Sequence, residues 1–261
     1  MKKLNALRKT FKYYNIDGYI VPKNDEFFGE YVNDSNDRLK FISSFTGSAG
    51  YALILRKKSY LFVDGRYTLQ AFKESGEKFK IVEIYKKKPS DIIDKLRKKI
   101  TIGYDPQLLT KSTTNNLFVS SKCNLKLIQE NLVDKIWNKK NKMQIKKFYI
   151  LPEKHIGESY KNKIKRTIIK MKSMNVDKLL ITAPENIAWL MNVRGKDSKF
   201  SPIPNCNAVL NLSGEIDLIV DERKIDKKFI NFFKKKIRII PRNKIINYLI
   251  KSKNKRNKFL V

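Results

Sequence analysis

Tyr13-Tyr14-Asn15-Ile16-Asp17-Gly18-Tyr19-Ile20-Val21-Pro22 returns 160 residues later as Ser173-Met174-Asn175-Val176-Asp177-Lys178-Leu179-Leu180-Ile181-Thr182. Both stretches set an Asn-(Ile/Val)-Asp turn between a helical pattern and a short β-branched run. A second pair follows in the same order: Tyr60-Leu61-Phe62-Val63-Asp64-Gly65-Arg66 and Asp217-Leu218-Ile219-Val220-Asp221-Glu222-Arg223, offset by 157 residues between Asp64 and Asp221. Near-equal offsets in one order indicate a duplication, two domains of one topology that differ slightly in loop length.

Working outward, Leu4, Leu7, Phe11 and Tyr14 repeat at helical spacing, and Gly18 leads into a strand at 19–21. Strands are predicted at 51–55 and 60–63, a helix over 67–74 that stops at Gly76, and a strand at 80–85. A helix over 90–98 with Ser90 as its cap, a strand at 100–103, a helix after Thr110 and a strand at 125–128 complete the first half. In the second half the pattern gives a helix over 158–172, a strand at 178–181 and a hairpin of 207–212 and 215–220 around Ser213-Gly214. A helix over 226–235, a strand at 237–240 and a helix over 244–250 follow. Strands alternating with helices, together with closely spaced strand pairs, predict an α/β protein with a mixed sheet in each domain. The expected join lies between Asp134 and Pro152, giving domains of 1–134 and 135–261. Lys258-Phe259-Leu260-Val261 reads as the start of a buried strand, and so as a truncation within the second domain.

The chain has 261 residues, enough for two domains that each bury a core, and 41% of them are hydrophobic. No apolar run reaches the roughly 20 residues of a membrane span. Arg8, Lys9 and Lys12 interrupt any apolar segment behind the basic start, so no secretory signal is read there. Cys123 and Cys206 lie far apart and form no C-x-x-C pair; a reducing, cytoplasmic setting is the simplest reading, with a single disulfide as the lesser alternative. The formal charge of +32 rests on 46 lysines and only 11 arginines. Lysine spread along the whole chain, in clusters at 86–88, 139–140, 161–172 and 234–236, reads as a coding bias toward adenine and thymine. Nucleic-acid readers favour the arginine fork instead. A polyanion-binding protein stays open as an alternative.

Several ordered segments resemble the Xaa-Pro aminopeptidases (aminopeptidase P) of the creatinase/prolidase metallopeptidase family. They are Arg38-Leu39-Lys40-Phe41-Ile42-Ser43-Ser44-Phe45-Thr46-Gly47-Ser48-Ala49-Gly50 and Val63-Asp64-Gly65-Arg66-Tyr67-Thr68-Leu69-Gln70-Ala71, then Gly103-Tyr104-Asp105-Pro106 and Glu130-Asn131-Leu132-Val133-Asp134-Lys135-Ile136-Trp137, and finally the stretch from Glu185 to Gly195. The resemblance implies two similar creatinase N-terminal-type domains. It implies release of an N-terminal residue preceding proline, carried out by a third, pita-bread domain with two divalent metals, usually manganese. That domain is absent from this sequence, which holds one histidine, His155, and no clustered carboxylate–histidine pattern. The chain is therefore expected to be inactive alone, with no catalytic residue, metal ligand or cofactor of its own. In the assembled enzyme it would restrict access to proline-containing peptides and help build a homodimer, and a separately encoded polypeptide could carry the metallopeptidase domain. A stand-alone interaction or dimerisation module is the other alternative.

Among individual residues, the resemblance assigns Arg66 to the bound peptide, since a guanidinium offers planar donors to a carbonyl or carboxylate. Pairing with Asp64 is an equal reading, and both can hold. Arg38 is a second peptide-facing candidate, with a structural ion pair as the stronger reading. Residues 47–50 read as a tight turn into a strand, and Trp137 and Trp189 as packing. His155 reads as a surface residue and Cys206 as buried.

Overall fold

The turn in the quoted stretches forms in both halves and is built the same way. In this computed structural model, which describes residues 1–119, 122–138, 145–234, 236–254 and 257–261, helix α1 (Lys2–Tyr13) buries Leu4, Leu7 and Phe11 on one face. Asn15 leaves the helix in the left-handed region, with φ 48°. Asparagine enters that region more readily than other side chains bearing a Cβ. The reversal lets the Ile16 N–H donate back to the Phe11 carbonyl at 3.0 Å, satisfying a carbonyl that the helix end would otherwise orphan. Asp17 then donates its N–H to the Thr101 carbonyl at 2.7 Å and accepts the Thr101 N–H on Oδ2 at 3.0 Å. Its Oδ1 accepts from Arg56 Nε at 3.0 Å.

Strand β1 (Gly18–Pro22) starts at the next residue and is buried along its whole length. It pairs antiparallel with β2 (Gly50–Leu55), which pairs antiparallel with β3 (Ser59–Val63). Beyond α2 (Arg38–Ser43), α3 (Thr68–Ser75) crosses over to β4 (Lys80–Glu83), which lies parallel to β3. After α4 (Pro89–Ile93), β5 (Ile100–Tyr104) lies parallel to β1, and after α5 (Lys111–Leu117), β6 (Cys123–Leu127) lies parallel to β5. The six-stranded order is β4-β3-β2-β1-β5-β6. One sheet face carries α1 and α6 (Leu132–Ile136) over Tyr19 and Val21, and the other carries Ile20, Leu53, Phe62 and Ile102.

The second domain begins with β7 (Tyr149–Ile150) and α7 (Tyr160–Ser173). Asn175 takes φ 53°, Val176 N–H donates to Met171 O at 3.1 Å, and Asp177 Oδ2 accepts the Lys258 N–H at 2.8 Å. Strand β8 (Lys178–Ile181), α8 (Pro184–Met191) and β9 (Val193–Arg194) precede the hairpin of β10 (Asn207–Asn211) and β11 (Ile216–Val220). Helix α9 (Lys227–Phe232) crosses to β12 (Ile237–Pro241), α10 (Ile245–Asn254) follows, and β13 (Phe259–Leu260) lies parallel to β8. The order β12-β11-β10-β8-β13 repeats β4-β3-β2-β1-β5 strand for strand, in the same relative directions. The chain separates into compact units of Met1–Lys142 and Met143–Val261.

Some boundaries differ from the sequence reading. Helix α4 starts at Pro89 rather than Ser90, because proline at the first helical position needs no N–H partner; Asp91 accepts the Lys88 N–H. It ends at Ile93, well short of Lys98. Strand β13 forms where a buried strand was expected, but its two residues are only half-buried. Lys139, Lys140 and Lys235 of the basic clusters lie outside the described residues.

Burial alone would raise the Asp17 carboxyl, yet the Thr101 N–H and the Arg56 guanidinium hold it below the ordinary aspartate range. A lowered folded value means that its stabilisation is complete above the unfolded pKa of roughly 3.9 and is lost as pH falls through the folded value. Asp17→Asn keeps a carbonyl acceptor without the charge. It should unfold at lower urea than the parent, by about 1–2 kcal/mol at pH 7. The gap should narrow as pH falls below about 4; a gap independent of pH would show that the charge contributes nothing.

Candidate functional site

Asp64 follows β3 and caps a single 3-10 turn, Gly65–Tyr67, by accepting the Arg66 N–H on Oδ1 at 3.0 Å. The same oxygen accepts from Arg66 Nε at 2.9 Å. The Arg66 side chain is 76% exposed, and its guanidinium lies 5.6 Å from the centroid of the Tyr67 ring. Its hydrogen bond to Asp64 raises the arginine pKa and lowers that of the aspartate, so both stay charged. Neither Nη1 nor Nη2 makes a hydrogen bond among the described residues. Two donor groups of the planar fork therefore face outward on a side chain whose near edge is fixed.

The ground around Arg66 is pinned by residues of the neighbouring motif segments. Ser48 Oγ and Tyr67 Oη lie 2.8 Å apart. Glu74 accepts the Thr46 N–H at 2.8 Å and its hydroxyl at 2.7 Å, and Gln70 Nε2 donates to Thr46 Oγ1 at 2.7 Å. The Phe45 ring meets Tyr67 edge-on at 5.9 Å. A Cβ at Gly47 would sit 2.2 Å from the Phe45 ring, so only glycine fits this loop as it stands. The loop leads into β2, as the turn reading of residues 47–50 anticipates.

Arg38 is placed differently. It is buried at the start of α2, where Nε and Nη2 hold both oxygens of Asp134 at 3.0 and 2.7 Å, and Nη2 also reaches Glu26 at 2.6 Å. Burial works against its charge, but the Asp134 and Glu26 carboxylates outweigh it and raise the guanidinium further. Its fork is thus occupied by carboxylates of its own domain, the geometry of the ion-pair reading. Asp134 belongs to α6, so this bidentate pair fastens α6 to α2. Nearby, Asn131 caps α6 and donates from Nδ2 to the buried Asp105 at 2.8 Å, which ties together two more of the motif segments.

The second domain carries its own version of the Asp–Arg turn. Arg223 donates to Asp221 through both Nε, at 2.9 Å, and Nη2, at 2.7 Å, and Asp221 caps Glu222–Lys224. Both carboxylate oxygens are engaged there, so Asp221 holds two nitrogens of its arginine where Asp64 holds one. Trp137 stacks on Phe41 at 4.6 Å, whereas Trp189 is 47% exposed. Cys206 is buried, which pushes its thiol up and leaves it unreactive, and His155 is exposed in the 3-10 turn Glu153–His155. Two buried lysines were missed in the sequence. Lys163 donates to Trp189 O at 2.8 Å and Asn192 Oδ1 at 2.6 Å, and Lys224 pairs with Asp197 at 2.7 Å. Amid 46 lysines no local signal marks them, although the duplication sets Lys163 opposite Lys3. Among the described residues, no three His, Cys, Asp or Glu side chains come together as metal ligands, and no helix is long and apolar enough to cross a membrane.

Family models described as the creatinase/prolidase N-terminal domain match residues 3–132 and, separately, residues 139–261. A probable Xaa-Pro aminopeptidase P of Coprinopsis cinerea is 30% identical over 256 residues, covering 95% of this chain and 41% of its own length. Aminopeptidase P1 of Lotus japonicus is 31% identical over 229 residues, covering 85% of this chain and 35% of its own. The crystal structure of an X-prolyl aminopeptidase from Caenorhabditis elegans, described as a cytosolic enzyme with a di-nuclear active site, matches with a TM-score of 0.87 at 25% identity. That match covers 98% of this chain and 45% of the other. The chain spans about two fifths of the length of the curated relatives it matches.

The two arginines should separate in equilibrium unfolding. Arg38→Met strands Asp134 and Glu26 and should cost toward the lower end of about 3–5 kcal/mol, since Asp134 is partly exposed. Arg66→Ala should leave the urea midpoint unmoved. Equal losses in the two variants would contradict the division between a buried clamp and an open fork.

Proposed function

We infer that this chain, both of whose domains belong to the creatinase/prolidase N-terminal domain family, supplies the non-catalytic front part of an Xaa-Pro aminopeptidase. Its task there is to shape the approach of proline-containing peptides and to present Arg66 to them. The observation that carries this reading is the asymmetry between the two Asp–Arg turns. Asp221 engages two donors of Arg223, whereas Asp64 engages the Arg66 side chain only at Nε. A side chain held at one edge, with its other donors facing solvent, can donate to a peptide carbonyl or carboxylate without first breaking an internal pair.

The residues described here do not fit a di-metal centre. His155 is exposed, and no ligand cluster forms among them. Hydrolysis of the peptide bond is therefore assigned to a part of the enzyme outside these residues, where the two divalent metals, manganese in our reading, would supply an activated water and polarise the scissile carbonyl. This chain's contribution is positional: Asp64 orients the guanidinium, and the Thr46–Gln70–Glu74 and Ser48–Tyr67 contacts hold the loop beneath it. Arg38 serves the same end indirectly by holding α6 in place. We place the protein in the cytoplasm, as part of a homodimer whose metal-bearing part is either continuous with this chain or a separate polypeptide.

The test is to purify the protein from its own cells, identify every retained chain by intact mass, and assay Xaa-Pro peptide cleavage with added manganese. The 261-residue chain alone should show no turnover, while the assembly holding a metal-bearing part should. In that assembly Arg66→Ala should lower kcat/KM by roughly tenfold or more, the scale of one charged hydrogen bond. Unchanged kcat/KM would remove Arg66 from the site. Recovery of the chain alone, without activity, would instead favour the interaction module.

A further inference from the structure

The two domains join their first long helix to the neighbouring hairpin in different ways. Strand register sets Ile54 opposite Tyr19 and Ser59, and Leu210 opposite Leu179 and Ile216. Leu55 and Ser59 of the first domain therefore correspond to Asn211 and Ile216 of the second. Helices α1 and α7 correspond at the spacing of the left-handed Asn15 and Asn175, which sets Arg8 against Ile168. In the first domain Arg8 bridges helix and hairpin: Nε donates to Leu55 O at 2.9 Å and Nη2 to Ser59 Oγ at 2.8 Å. Burial at this bridge lowers the arginine pKa.

The second domain has isoleucine at both ends of that bridge, Ile168 for the arginine and Ile216 for the serine. A groove of about 370 Å³ opens there between α7 and the β10–β11 turn, lined by Ile164, Ile168, Ile216 and Phe233. Gly214 bounds it on the turn side, where a Cβ would lie 3.6 Å from Ile168 Cδ1. Ile169, where the first domain has Lys9, also lines the groove and is 60% exposed. Large aliphatic side chains left open to water beside a concave apolar surface are what a ligand covers.

The charges change in the opposite sense. Lys161, Lys165, Lys172 and Lys236 line the same groove, and no aspartate or glutamate does. Their ammonium groups make no hydrogen bond or ion pair among the described residues. The general lysine surplus does not account for this placement. Lys161 and Lys165 stand where the first domain has Met1 and Asn5, while Arg8 and Lys9 give way to isoleucine. Lysine stems can extend an apolar wall and still keep their charged ends in water, available to an anion at the mouth.

We propose that this groove binds a single-chain amphiphilic anion, an unbranched alkyl group ending in a carboxylate. Its chain lies against Ile164, Ile168, Ile216 and Phe233, and its head among the four lysines. The apolar lining would accept any alkyl chain, but the uncompensated lysines favour a negative head over a neutral one. The volume is at the small end for ligand pockets, which suits one chain rather than a two-chain lipid. The inference rests on the comparison of the two domains and not on the peptidase reading, so it stands or falls apart from Arg66.

Calorimetric titration of the full chain with decanoate, octanoate and decanol tests the site. Decanoate should bind once per chain. Octanoate should bind roughly tenfold more weakly, the scale of two buried methylenes. Decanol should bind roughly fivefold more weakly, the scale of exposed charge pairs. Lys161→Gln with Lys165→Gln should bring decanoate down toward decanol and leave decanol unchanged, whereas Lys86→Gln with Lys87→Gln in the first domain should change neither. Ile168→Arg rebuilds the bridge of the first domain and should abolish binding of both. Because it adds a cation, that loss would report a filled groove and not a weaker attraction. The urea midpoint shows whether Ile168→Arg folds, and the lysine pair decides the question if it does not. Absence of saturable decanoate binding would overturn the site, and unchanged affinity in a folded Ile168→Arg would overturn its location. Equal binding of decanoate and decanol, or indifference to the lysine pair, would overturn the anionic head. A photo-crosslinking residue at Ser213, in the protein as its own cells make it, should yield an alkyl carboxylate adduct. A protein adduct undiminished by added decanoate would put a macromolecule in the groove and overturn the proposal.

Discussion

Asp17 and Asp177 each bind the backbone of a strand that arrives about 80 residues later in the chain, at Thr101 and Lys258. That bond follows directly on a helix end forced by a left-handed asparagine two residues earlier. The combination fixes three things at once. It fixes where the first helix of each domain stops, where the central strand starts, and which residue of a distant parallel strand lies beside it. A slip of one residue would turn Tyr19 and Val21 away from α1 and expose the apolar face. Parallel pairing has no tight turn to set its register, so a side chain that reads the incoming backbone takes over that task.

Legibility of the sequence follows from this local origin. The helix–turn–strand stretch, the hairpin at Ser213-Gly214 and the order of strands and helices were readable because each depends on residues close in sequence. Helix α8 was not assigned as a helix, although its proline start is visible; its apolar run has no polar face to reveal a helical period. The early end of α4 was invisible too, because it depends on what the rest of the domain leaves exposed. Of the candidate site, the identity of Arg66 and its partner Asp64 could be read. What could not be read was that Asp64 engages only one edge of the guanidinium, since donor geometry has no sequence signature.

Arg38, Arg66 and Arg223 show how one side chain takes three roles through its surroundings. At Arg38 desolvation is offset only because two carboxylates saturate the fork, and the result is a clamp whose removal strands buried charge. At Arg223 the pair is exposed and complete, a geometry in which an ion pair stabilises little beyond the turn it caps. At Arg66 the pair is exposed and incomplete. Arg66 is held at Nε alone and keeps both Nη groups to give, whereas Arg223 is held at Nε and Nη2 and keeps only Nη1; the wider free edge suits recognition without internal rearrangement.

The lysine surplus does not blur this distinction. With 57 basic against 25 acidic residues, most cations have no carboxylate available, and unpaired surface lysines repel one another within a Debye length of roughly 10 Å. The lysines that do structural work are those taken out of this field by burial: Lys163 against the Trp189 carbonyl and ring, Lys23 against Asp37, and Lys224 against Asp197. Lys163 has a counterpart in Lys3, so it belongs to the duplicated framework rather than to the surface excess. The framework repeats the strand order, the left-handed caps, the aspartate bridges and a lysine over an aromatic ring. What differs between its two copies is whether the ground beside that ring is covered. Phe41 has α6 against it, and Trp189 has an open trench.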